Sequence, residues 1–148
     1  MSGVVTSVRA LMQTPTSGPT LVWGDDIFNL VKAAASGQGA LTAAVPSGGT
    51  SAAGATPIVA KFTEFTTAAA GASALLPNAI AGLEIWITNS GAQNLTVYAS
   101  PSNVNNAGVA DVIVPAAGGA TEASIVVGAN ATAHLFAPVV GRWKSLKQ

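Results

Sequence analysis

Apolar and polar positions alternate through much of the second half of the chain. Over residues 83–88, Leu83, Ile85 and Ile87 fall on one face and Glu84, Trp86 and Thr88 on the other. A period of two is the mark of a strand with one buried face. The segment Asn89-Ser-Gly-Ala-Gln-Asn94 supplies turn residues, and residues 95–98 resume the alternation with Leu95 and Val97 on a shared face. Further runs of β-forming residues occupy 58–65, 75–77, 112–114, 124–127, 131–136 and 142–146. About eight short strands separated by regular turn signals predict a mostly β fold, an antiparallel β-sandwich or jelly-roll-like domain over residues 57–148.

The first 56 residues read differently and are expected to form an extended arm. Residues 4–12 suit a strand, a turn-rich stretch follows at 13–19, and residues 20–23 form a second short apolar run. Asp25 and Asp26 then precede a segment closed by Ser36-Gly37. Acids at the start, Lys32 in the later half and a terminal glycine predict one short helix over 25–36. Ile27, Leu30 and Val31 would be its buried stripe, although Phe28 to Val31 also suits a strand. Residues 37–56 are mostly Gly, Ala, Ser and Thr, with apolar interruptions at Leu41 and Val45, which is the composition of a linker.

Composition moves the picture towards assembly. Of 148 residues, 49% are hydrophobic, only 8% are charged, and six basic side chains balance six acidic ones. Ordinary soluble domains carry about 25% charged residues, and low charge favours association. The hydrophobicity comes mainly from Ala and Val, with aromatics at 5%, which suits thin β-layers that approach closely. A neutral chain lacks the basic stripe that nucleic acid requires, so no nucleic-acid partner is expected; Arg142, Lys144 and Lys147 read as a solvated last strand. No apolar run approaches the roughly 18 residues of a membrane helix, and the first residues lack the pattern of a signal peptide. The absence of cysteine excludes disulfides and thiolate sites.

From Leu76-Pro77 through Leu83-Glu-Ile-Trp-Ile-Thr-Asn-Ser-Gly91 into Leu95-Thr-Val-Tyr98, then Asn103-Val-Asn-Asn106, Ala133-His-Leu-Phe136 and Gly141-Arg-Trp-Lys-Ser-Leu146, the chain resembles virion structural proteins of tailed bacteriophages, of the head-decoration and fibre type. The resemblance covers about residues 57–146 and consists of structural punctuation without catalytic content. It implies a β-rich, usually trimeric component of the virion surface.

Candidate chemistry is sparse. His134 is the single histidine, on an expected strand face with Thr132 and Phe136, and reads as a half-buried or inter-subunit residue. A catalytic triad would need it beside a hydroxyl and an acid, and no Gly-x-Ser-x-Gly elbow is present. Asp25-Asp26 is the one local acid pair and reads as charge at a helix start rather than as half of a calcium site. The glycine-rich stretches lack the Lys-Ser/Thr of a phosphate cradle. No cofactor or metal is therefore expected. Trp23, Trp86, Tyr98, Trp143 and His134 are the candidate interface residues, since Trp and Tyr concentrate in cores and interfaces; stacking on sugars is the competing role.

These readings converge on a non-enzymatic capsid decoration, or cement, protein located on the virion surface. Its expected partners are the major capsid protein and other copies of itself, as a homotrimer, with the arm lying over the shell or a neighbouring subunit. The alternative is a head or tail fibre component that recognises a host glycan through loops such as 100–110. A small hydrolase is the third possibility, and it would need His134 within reach of both a carboxylate and a serine.

Overall fold

The computed structural model describes residues 38–147. The expected strands at 4–12 and 20–23, the helix at 25–36 and Trp23 lie outside the described residues. Ten strands follow in order: β1 Gln38–Thr42, β2 Thr56–Pro57, β3 Phe62–Thr67, β4 Ser73–Leu75, β5 Glu84–Asn89, β6 Leu95–Tyr98, β7 Val112–Val114, β8 Ser124–Val127, β9 Ala131–Val139 and β10 Arg142–Lys147. Helix among the described residues is confined to one 3-10 turn at Val104–Asn106. The fold is mostly β.

The strands form a six-stranded sheet in the order β1-β3-β5-β9-β10-β7 and a four-stranded sheet in the order β2-β4-β6-β8. From β1 to β6 the chain alternates between the sheets, so strands two apart in sequence become neighbours. Such neighbours run the same way: β1 with β3, β3 with β5, β2 with β4, and β4 with β6 are all parallel, as is β7 with β10. Only β5–β9, β9–β10 and β6–β8 are antiparallel. The expectation of an antiparallel domain is thus corrected to mixed sheets. Alternation of side chains records burial of one face and carries no information on the direction of the neighbouring strand.

The reading of 37–56 as a linker is also corrected. From Gln38 onward this stretch enters the sheets: β1 pairs with β3, Ala43 is buried, and Leu41 packs against the core. Ala43 N donates to Thr67 O at 2.8 Å, and Ala44 N donates to Thr56 Oγ1 at 2.8 Å. Small side chains allow this close approach, and sheet pairing crosses the boundary expected at 56/57.

One hydrophobic cluster draws side chains from both sheets. Phe65, Ile85, Ile87, Ile113, Leu135 and Trp143 come from the larger sheet, and Ala74, Leu95, Val97, Ile125 and Val127 from the smaller. The many alanines keep this core thin. Strand β5 shows the predicted alternation, with Ile85, Ile87 and Asn89 buried and Glu84, Trp86 and Thr88 turned outward. Asn89 ends β5 by donating through Nδ2 to Gln93 O, Val127 O and Gly128 O while its Oδ1 accepts from Gly91 N. That turn needs glycine at 91, because a Cβ there would lie 2.4 Å from Ala68 N.

A second polar knot ties the loop after β6 to the loop after β4. Asp111 accepts from Ala79 N and from Asn103 Nδ2, each at 2.7 Å, and Asn103 Nδ2 also donates to Ala79 O at 3.0 Å. Asn103 Oδ1 accepts from Asn105 N and caps the 3-10 turn. Both Asn103 and Asp111 are buried, and each has its side-chain polar atoms hydrogen-bonded within this loop or to Ala79.

Candidate interaction surface

The outer face of the six-stranded sheet gathers the side chains with chemical character. Pairing of β3 with β5 sets Phe62 beside Trp86, and pairing of β5 with β9 sets Trp86 beside His134. Three ring-bearing residues therefore form a row across three strands. The indole and imidazole stack, with centroids 3.8 Å apart and planes inclined by 9°. Phe62 is 53% exposed at the open end of the row, whereas Trp86 and His134 are half-buried.

Glu84 organises the charge beside this row. Its Oε1 lies 2.7 Å from His134 Nε2 and its Oε2 lies 2.5 Å from Lys61 Nζ. The hydrogen bond from Lys61, followed by that from His134, holds the Glu84 carboxyl below its ordinary value of 4.5. Lys61 Nζ also sits 5.7 Å from the centroid of the Phe62 ring. The stack and the Glu84 contact thus hold His134 by one ring face and by Nε2. An open cleft of about 400 Å³ adjoins them, lined by Val59, Ala60, Lys61, Pro77, Leu83 and Glu84 among others.

The five residues expected at an interface separate into different settings. Trp86 and His134 are brought together. Tyr98 lies on the other sheet, half-buried between Leu75 and Ser124 of the neighbouring strands. Trp143 is fully buried, so its assignment to an interface is corrected to a core role, and its Nε1 finds no acceptor among the described residues. It sits on the inner face of β10 against the alternation that Arg142, Lys144 and Leu146 turn outward. Trp23 lies outside the described residues.

Lys61, Phe62 and the buried pair Asn103–Asp111 did not stand out in the sequence. The signal available for the first two was their place within the β-run at 58–65, and their role follows only from the register of β3 against β5. Asn103 looked like a solvent-facing loop residue and instead turns inward. His134 meets a carboxylate, but no serine or threonine hydroxyl bonds to it among the described residues. No group of three or more His, Cys, Asp or Glu that could hold a metal occurs among the described residues, and no described helix is long and apolar enough to cross a membrane. Comparison with protein-family models, curated proteins and solved structures gives no match.

Proposed function

We propose that the chain is a structural component of a bacteriophage virion, a decoration protein on the outside of the head, in which the two sheets stack as the layers of a β-sandwich. The observation that carries this reading is the outer face of the larger sheet. Phe62, Trp86, His134 and Phe136 lie across adjacent strands there, with Leu146 of β10 49% exposed. Aromatic side chains held rigid by stacking lose little entropy when a partner covers them, which suits an anchoring face. The low charge of the whole chain favours association in general, and on this face Glu84 is paired with Lys61 and His134.

In this reading copies associate, as the homotrimer that the resemblance implies, and the aromatic face seats against the major capsid protein. Each contact adds stability to the shell by mass action, and repeated contacts over a lattice add avidity. The fibre alternative gains less support. One face of the Trp86 ring is already covered by His134, and Asn103 in the loop at 100–110 is buried where a glycan could not reach it.

The test is the composition and map of purified virions from the source of this sequence. The expected result is many copies of the chain on the outer head surface, with the β5–β9 face against the shell. Absence of the chain from intact virions would overturn the reading.

A further inference from the structure

Four strand edges close the two sheets, and three of them carry a guard against pairing with another chain. β2 is two residues long and ends in Pro57, which has no N–H to offer. The outer edge of β7 is occupied, since Ile113 N donates to Glu122 O and Glu122 N donates to Ile113 O, both at 2.8 Å. β1 is broken by two shifts of register against β3. Among the described residues β8 has no such protection. Residues 123–129, Ala-Ser-Ile-Val-Val-Gly-Ala, contain no charge and no proline.

The backbone of β8 is also turned to receive a partner. Ala99 N donates to Ala123 O, and pairing continues through Val97 with Ile125 and Leu95 with Val127. Hydrogen-bonded pairs alternate along an antiparallel ladder, so Ile125 and Val127 spend their main-chain groups on β6. The N–H and C=O of Ser124 and Val126 consequently face the open side.

The sequence of this edge reads nearly the same from both ends. Around Val126 stand Ile125 and Val127, then Ser124 and Gly128, then Ala123 and Ala129. Burial follows the same symmetry: Ile125 and Val127 are buried, Ser124 and Gly128 half-buried, and Val126 and the alanines exposed. A two-fold axis through Val126 would pair Val126 with its own copy and Ile125 with Val127 of that copy. Inward residues would meet inward residues, and β-branched side chains would meet across the strands.

We propose that β8 is a self-pairing edge, at which a second copy of this chain adds antiparallel to β8 about Val126 and joins two four-stranded sheets into one of eight. The open edge, its outward amides and its mirror-like sequence select a second copy over an unrelated strand. This contact goes beyond the virion reading and does not depend on it. It is two-fold, so it doubles whatever assembly the aromatic face or a three-fold axis produces.

The full chain carries no cysteine, so single cysteines report contacts cleanly. Directly opposed residues of a hydrogen-bonded pair have Cα atoms about 5.5 Å apart, inside the span a disulfide bridges. Val126→Cys is expected to oxidise to a covalent dimer at least tenfold faster than Val104→Cys, placed at an 80% exposed position of the 3-10 turn, outside β8. Light scattering should give an even multiple of the 14.5 kDa chain, and Val126→Lys should halve that mass without changing the circular dichroism spectrum. Equal oxidation of the two cysteine variants, or an unchanged mass for Val126→Lys, would overturn the proposal. A trimer that Val126→Lys leaves intact would do the same while sparing the virion reading.

Discussion

Asn103 and Asp111 face one another out of reach of solvent, with Asn103 Nδ2 donating to Asp111 Oδ1 at 2.7 Å. The pair joins the loops after β4 and β6, because each partner also bonds the backbone of Ala79. Removing either side chain strands buried polar groups that water cannot reach. Asp111→Ala is expected to cost about 2–4 kcal/mol, read as a fall in the urea midpoint with unchanged slope. The double variant with Asn103→Ala should cost less than the sum of the two single changes, since they share partners.

Gly91 and Gly118 should both lose stability on substitution, but to different degrees and for different reasons. A Cβ on Gly91 would lie 2.4 Å from Ala68 N and 2.9 Å from Ala68 Cβ, so backbone must move. Gly91→Ala should lose about 2 kcal/mol or more. At Gly118 nothing lies within 4 Å, and only the positive φ of +78° opposes a side chain. Gly118→Ala should cost about 1 kcal/mol. Thermal melts of the two variants side by side would distinguish clash from strain.

Trp143 tests the balance between volume and an orphaned donor. Trp143→Ala should cost about 3–5 kcal/mol through the cavity it leaves. Trp143→Phe keeps most of the packing and removes the buried Nε1 that has no acceptor among the described residues. Its cost should be well under half that of the alanine variant in chemical denaturation.

Glu84 gives the fold a dependence on acid with a definite sign. Its carboxyl titrates below 4.5 when folded, chiefly because Lys61 and then His134 hydrogen-bond it. A depressed folded value contributes stability that is fully present above 4.5 and is lost as pH falls through the depressed value. Wild type should therefore lose its advantage over Glu84→Gln as pH drops from 5 towards 3. Melting temperatures of both chains across that range supply the measurement, and parallel curves would contradict the ion-pair assignment.

Much of the strand pattern was legible because turns and runs of β-forming residues mark it locally. The runs at 95–98, 112–114 and 124–127 coincide with β6, β7 and β8. β1 and β2 were not legible, since Gln38-Gly-Ala-Leu-Thr42 carries no period of two, Thr56-Pro57 is too short to show one, and both become strands only through partners distant in sequence. Strand direction was hidden for a related reason: Ile85 and Ile87 face inward whichever way β3 runs beside them. Trp86 and His134 were picked out singly as residues of interest. Their stack, and the two contacts of Glu84, depend on the register of β5 against β9, which lies some forty residues away in the chain and leaves no local trace.

The alternation of strands between two sheets also has a temporal side. β5 can find β3 soon after both leave the ribosome, but its other neighbour, β9, begins only at Ala131. Until synthesis has passed Ala131, β5 presents a bare hydrogen-bonding edge on the side that β9 will cover. Long-range pairing of this kind folds slowly, on the order of milliseconds to seconds. Residues 131–147 therefore act as the closing piece of the larger sheet, and a chain without them would be sticky rather than merely shorter.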